Sequence, residues 1–298
     1  MRVAALVLGI VVAAVIVILG IALLVGTAKL RSKYEISQQT LALAIPSDAA
    51  SVERGRHFVT AIAGCIDCHG ADLGGSAFLD VPPFRIVAPN LTRGQGGVGT
   101  TFSDADFVRA IRHGVAPDGH ALLVMPADDY TYLSDQDLAD IIAYVRSLPA
   151  VDRQLPPSDV RPLGRLLLAA NLLPLPPAAT IDHNSRQPAQ MPFQVSSGYG
   201  RYLAQVGGCT GCHGAGLSGG KIPGLPPDAP PAQNITPAAI GGWTEKDFVR
   251  ALRVGKRPDG STIAPLMPWR YFTRMTDGEI AALWLYIHSV PARPTGTR

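Results

Sequence analysis

The feature that most constrains this chain is an internal duplication. "GRHFVTAIAGCIDCHGADLGG" (Gly55 to Gly75) is answered by "GRYLAQVGGCTGCHGAGLSGG" (Gly200 to Gly220), and "APNLT" (Ala88 to Thr92) by "AQNIT" (Ala232 to Thr236). "FSDADFVRAIRHGVAPDG" then pairs with "WTEKDFVRALRVGKRPDG", and "VMPADDYTYLSDQDLADIIAYVRSLPA" with "LMPWRYFTRMTDGEIAALWLYIHSVPA". The offset stays between 141 and 145 residues, so a unit of about a hundred residues occurs twice in tandem. Two similar domains are expected, over 51–150 and 194–293.

Each unit carries the same helix punctuation. Ser103 with Asp106, Ser134 with Asp137, Thr244 with Asp247 and Thr276 with Glu279 are hydroxyl residues followed three positions later by a carboxylate, ahead of apolar-periodic runs. Pro149 and Pro291 stop the final run of each unit. The pattern predicts an all-α unit: an entry helix ending near the cysteines, a Gly/Pro-rich loop, a middle helix, a second loop and a closing helix.

Two segments stand outside the repeat. Val3 to Ala28 is 26 residues without a charge, about 39 Å as a helix against roughly 30 Å of hydrocarbon. Residues 1–33 are therefore expected to be an N-terminal transmembrane anchor, with a signal peptide as the alternative because "GTA" (Gly26 to Ala28) offers a cleavage point. Lys29, Arg31 and Lys33 follow the span and only Arg2 precedes it, a bias that favours a cytoplasmic location for the rest of the chain. Between the units, 151–193 is a Pro/Leu-rich connector, semi-stiff from its prolines, whose leucine run from Leu163 to Leu173 reads as a short buried helix or one laid against lipid. Lys and Arg exceed Asp and Glu by only three, which gives no footprint for nucleic acid.

The chemistry lies in "CIDCHG" and "CTGCHG". C-x-x-C-H is the attachment signature of c-type haem: two cysteines on one helical turn reach the two vinyl groups of a porphyrin, and the histidine that follows can ligate the iron. Zinc sites place paired C-x-x-C motifs about 15 to 20 residues apart, far closer than these. A thioredoxin-like dithiol requires a βαβ context that is lacking here. Cysteines three apart make poor structural staples. Cys65, Cys68 and His69 are thus expected to hold one covalent haem, and Cys209, Cys212 and His213 a second. Met125 and Met267 recur at matched positions, each before proline, and are the expected distal ligands. Met191 and Met275 lack a repeat partner and read as packing. His113 and His120 face Val254 and Ser261 in the other unit and read as surface residues; His57, His183 and His288 likewise have no matching histidine.

These motifs, with the "NIT" segment and "DFVRALR" between them, resemble the class I cytochrome c domain. More narrowly they resemble the membrane-associated cytochrome c subunits of bacterial alcohol, aldehyde and sugar-acid dehydrogenases. The resemblance implies haem attachment outside the bacterial cytoplasmic membrane, so the haem domains are expected on the periplasmic side against the charge bias of Lys29, Arg31 and Lys33. It also implies that Asn90 and Asn234 sit near a haem edge, with solvated loop residues as the alternative. Two departures are visible. There are two haem motifs where that subunit family often has three, and the aromatic that commonly follows Met-Pro is present as Trp269 but replaced by Ala127.

The function this implies is single-electron transfer with no bond chemistry of its own. The expected partners are a dehydrogenase, a quinol-oxidising complex, a soluble cytochrome or a terminal oxidase, with the membrane reached through the N-terminal helix. A di-haem peroxidase, with one displaceable ligand, and a haem-based redox or gas sensor are the alternatives.

Overall fold

The computed structural model describes residues 2–226 and 228–298; Met1 of the expected anchor and Pro227 of the second unit lie outside them. Helix α1 (Arg2–Leu30) is a single apolar rod. No part of its apolar window is buried against the rest of the molecule, and the helix is long and apolar enough to cross a membrane.

The first unit opens with α2 (Ala49–His57), capped by Asp48, and continues through a π-helical turn (Phe58–Ile62) into the one-turn α3 (Cys65–His69). After a long loop come α4 (Asp104–His113), the short α5 (Ala127–Tyr130) and α6 (Asp135–Ser147). The connector forms α7 (Pro162–Ala169). The second unit repeats the plan as α8 (Ser197–Val206), α9 (Cys209–His213), α10 (Glu245–Val254), α11 (Trp269–Phe272) and α12 (Asp277–Ser289).

In each unit the entry and closing helices cross where a glycine lets the backbones touch. A Cβ on Gly55 would lie 1.8 Å from the Asp140 carbonyl oxygen, and one on Gly200 would lie 1.9 Å from that of Ala282. These are matched positions of the repeat, so the duplicated "GR" dipeptide is explained by close helix packing. Around each crossing the apolar faces merge into one core that includes Ile62, Leu138 and Ile142 from the first unit and Leu203, Ile280 and Leu283 from the second.

The all-helical expectation needs one correction. Ser76–Val81 and Phe84–Ala88 form an antiparallel hairpin, β1 and β2, and Asp159–Val160 of the connector adds β3 to its far edge. Pro82 and Pro83 sit at the turn, where the missing N–H groups remove nothing from the ladder, and Phe84, Ile86 and Val87 favour extended backbone. The corresponding stretch of the second unit is "KIPGLPPDAPPA", too rich in proline for a ladder; Gly220 and Ala232 form a single bridge there.

The units meet through reciprocal contacts. His57 of α2 donates from Nε2 to Glu279 at the start of α12 (2.9 Å), and Tyr202 of α8 donates to Asp137 at the start of α6. His57 and Tyr202 are matched repeat positions, as are Glu279 and Asp137. The seam therefore has the form of a two-fold, isologous interface within one chain. It also alters one helix cap. The boxes at Ser103, Thr244 and Thr276 are complete, whereas at Ser134 the Tyr202 hydroxyl accepts the backbone N–H (3.2 Å) that the Asp137 carboxylate would otherwise receive.

The connector does not run buried between the units. Helix α7 packs against the end of α1, where a Cβ on Gly26 would strike the Arg165 carbonyl, and Lys29 Nζ donates to the Leu168 carbonyl (2.8 Å) and Asn171 Oδ1 (2.7 Å). Further on, the connector folds back over the first unit and covers His113. That residue is 1% exposed, not on the surface as the sequence suggested, with its Nδ1 3.1 Å from Nδ1 of His183. Burial pushes the His113 imidazole down to about 4, so the pair is neutral at physiological pH.

Candidate haem-binding sites

Both C-x-x-C-H turns are built the same way. Gly64 (φ 60°) and Gly208 (φ 72°) lead into them with left-handed backbone, and Gly70 (φ 80°) and Gly214 (φ 82°) lead out. Between these glycines a single helical turn sets Cys65 and Cys68, or Cys209 and Cys212, three residues apart on one side. The entry glycines are also needed for space. A Cβ on Gly64 would meet the Tyr271 ring at 2.8 Å, and one on Gly208 would lie 3.1 Å from Asp129 Oδ2.

The histidines are buried and oriented. His69 Nδ1 donates to the Pro89 carbonyl (2.9 Å) and His213 Nδ1 to the Gln233 carbonyl (2.6 Å), leaving each Nε2 as the nitrogen with a lone pair to give a metal. Burial lowers the proton affinity of both rings and holds them neutral, the form that can ligate. The accepting carbonyls are fixed by their neighbours. Asn90 Nδ2 donates to the Val151 carbonyl (2.7 Å) while its Oδ1 accepts from the Thr92 backbone (2.9 Å) and hydroxyl (2.8 Å). Asn234 does the same with the Arg293 carbonyl (2.8 Å) and Thr236 (2.9 and 2.8 Å). Both asparagines are buried, so the solvated-loop alternative fails: they tie the loop that orients each histidine to the strand of chain leaving the closing helix.

Each turn opens on a cavity. The first, about 360 Å³, is lined by Cys65, Cys68, His69 and Met125 together with apolar side chains that include Phe78 and Ile86. The second, about 530 Å³, is lined by Cys209, Cys212, His213 and Met267, with Trp243 and Tyr271. Each expected site residue thus reaches the same cavity as its partners. Met275 lies in the core and Met191 packs against it, His120 pairs with Asp118 (2.9 Å), and none of the other histidines lines either cavity.

The donor set fits covalent haem. Burial pushes the Cys65 and Cys209 thiols up to about 12, opposite to the electropositive setting that makes a zinc-binding or redox-active thiolate. Among the described residues no cluster of three or more Cys, His, Asp or Glu side chains is arranged to hold a metal ion alone. What each cavity offers is two neutral thiols for thioether bonds, one imidazole with its Nε2 available, one thioether and apolar walls.

Sequence reasoning missed the seam between the sites. Ala63, Pro126 and Tyr130 line both cavities, so the two sites share a wall. Asp129 and Tyr271 occupy matched repeat positions, and each packs on the cysteine turn of the other unit. Burial, with Asp128 adding charge repulsion, pushes the Asp129 carboxyl up to about 7.

Comparison with known proteins agrees with this construction. The Cytochrome c family profile matches residues 52–149 and 198–291, nearly two thirds of the chain. The fructose dehydrogenase cytochrome subunit of Gluconobacter japonicus is 28% identical over 272 residues, covering 82% of this chain and 53% of that protein. The diheme cytochrome c-type of Cereibacter sphaeroides is 29% identical, covering 77% of this chain and 82% of its own length. The gluconate 2-dehydrogenase cytochrome c subunit of Pantoea cypripedii is 29% identical, covering 82% and 60%. The chain therefore spans only about half the length of the first of these relatives. It belongs to the cytochrome c family and is a di-haem cytochrome with two covalent haem c groups.

Proposed function

We propose that this chain is a membrane-anchored electron carrier that passes single electrons between a donor dehydrogenase and a further acceptor, with no catalytic chemistry of its own. The observation that carries the reading is the matched pair of cavities, each combining a histidine with a free Nε2 and a methionine thioether. Cys65, Cys68, His69 and Met125 would hold one haem, the cysteines by thioether bonds and His69 and Met125 as donors to its iron; Cys209, Cys212, His213 and Met267 would hold the other in the same roles. When bound, a haem with His and Met ligands supplies a one-electron Fe(III)/Fe(II) couple of raised potential.

The remaining work falls to the chain. Pro89 and Gln233 fix the imidazoles, and the apolar linings limit the access of water. The wall of Ala63, Pro126 and Tyr130 keeps the two sites adjacent. The organisation that supports this is an anchor over 1–33, haem units over 51–150 and 194–293, and a connector over 151–193. The haem units are assigned to the outer face of the bacterial cytoplasmic membrane, as for the resemblance above. On that face Lys29 is bound to α7, which accounts for one of the basic residues that opposed the assignment. A dehydrogenase as donor follows from the relatives named as dehydrogenase subunits.

Spectroscopy of the purified full-length protein tests the reading. Both haems should be low-spin in either redox state, and the reduced protein should not bind carbon monoxide at neutral pH. A high-spin haem with turnover of hydrogen peroxide would make it a peroxidase, and carbon monoxide binding would make it a sensor.

A further inference from the structure

Helix α7 and the hairpin are not used by the haem sites' ligand chemistry, yet they form a continuous platform at the end of α1. The helix starts at Pro162, preorganised for a first turn. Gly164 abuts the hairpin turn, where a Cβ would lie 2.4 Å from the Pro83 carbonyl oxygen. Arg161 donates to the Val81 carbonyl (2.6 Å) and pairs with Asp80 (2.6 Å). The hairpin and α7 are thus joined, and α7 in turn is joined to α1 through Gly26 and Lys29.

This platform turns large apolar side chains outward. Leu163 of α7 is 46% exposed and Leu172, just past its end, 68%; on the outer strand β1, Leu79 is also exposed. Such a collection on one set of contacting elements marks a surface with a partner. Its depth identifies the partner. The 29 residues of α1 span about 43 Å, and about 20 of them fill roughly 30 Å of hydrocarbon. With the tilt that fits its 26 uncharged residues, Val3 to Ala28, into that thickness, the hydrocarbon ends near Ala28, so Gly26 and Lys29, the residues that hold α7, straddle its boundary with the headgroup layer. Exposed Arg31 and Lys33 follow at the level of the lipid phosphates.

From this we infer that α7 and the outer face of β1 lie in the headgroup layer of the bilayer that α1 crosses, as a second, in-plane membrane contact. The inference rests on the reading of α1 as a retained anchor. Because Phe78, beside Leu79 on β1, is a wall of the first cavity, the contact holds the first haem unit against the lipid surface. That unit becomes the one that faces membrane-embedded partners.

The test uses the full-length di-haem protein in vesicles of phosphatidylcholine and phosphatidylglycerol. Single nitroxide labels are placed on Leu163→Cys, Leu172→Cys and Leu79→Cys, with Val15→Cys as the anchor control and Val254→Cys as the second-unit control. With both haems reduced, and so diamagnetic, power-saturation EPR compares access of oxygen with access of a water-soluble nickel chelate. Position 15 should read hydrocarbon, positions 163, 172 and 79 an intermediate interfacial depth, and position 254 water. If 15 reads hydrocarbon while 163, 172 and 79 match 254, the platform is wrong and the anchor stands. If 15 itself reads water, the anchor reading fails and this inference falls with it.

Discussion

The two haem units have the same proposed ligands, the same glycine-bounded cysteine turns and the same asparagine ties, but they differ in what surrounds them. The first, over 51–150, has twelve Asp and Glu against seven Arg; the second, over 194–293, has ten Lys and Arg against six Asp and Glu. The first is walled by a β-hairpin and the second by a proline-rich loop. The methionine loops are closed differently as well. Gly255 lies under the Trp269 ring, whereas Gly114 lies under Ala127 and the connector's Ala178. The aromatic missing at Ala127 is thus replaced by chain folded in from the connector. Duplication has kept the donor atoms and varied the shell around them, where potential and partner choice are set.

Substitutions at matched positions test how far the two units are alike. The largest effect is expected from Cys65→Ser with Cys68→Ser, which should halve the covalent haem per polypeptide, measured by haemochrome absorbance and intact mass. The mirror pair Cys209→Ser and Cys212→Ser should do the same. Loss of both haems from either pair would mean that the units do not bind haem independently.

Next come the helix crossings. Gly55→Ala and Gly200→Ala each force a methyl into a backbone contact, and each should cost about 3 kcal/mol in denaturant unfolding. A cost at only one site would show that the two crossings are not equivalent.

Asp129→Asn addresses the seam. In the native protein the carboxyl ionises as pH rises through about 7, and the added negative charge favours the oxidised, more positive haem of the second unit. The potential of that haem should therefore fall with rising pH around neutrality, by no more than about 59 mV per pH unit for one electron. The variant should lose the slope, and Tyr271→Phe should leave the first haem's pH profile unchanged. A slope that survives in Asp129→Asn would place its origin elsewhere. The smallest effect is expected for Tyr202→Phe, about 1 kcal/mol from loss of the hydrogen bond to Asp137.

Much of the framework was legible in the sequence because it is local. Helix caps such as Thr244 with Asp247, the stops at Pro149 and Pro291, and the one-turn spacing of the cysteines depend on residues a few positions apart. The hairpin was not legible, because its stretch reads as a Gly/Pro-rich loop, and Pro82 and Pro83 form the turn between two strands. The burial of His113 and the shared wall at Tyr130 were not legible, because each arises where distant segments fold together. One signal was available for the seam. Asp129 and Tyr271 are unlike residues at one repeat position, beside conserved punctuation, where a contact between units can differ from one side to the other.

The reciprocal pairs His57 with Glu279 and Tyr202 with Asp137 have a consequence for how such a chain arises. A surface that meets its own copy across a two-fold axis is already a homodimer interface. Joined by a connector, the halves no longer depend on the concentration of free subunits, because their meeting is intramolecular. Once fused, each side of the axis is free to mutate alone. The carboxyl at 129 and the phenol at 271 are what a symmetric ancestor could not have carried together.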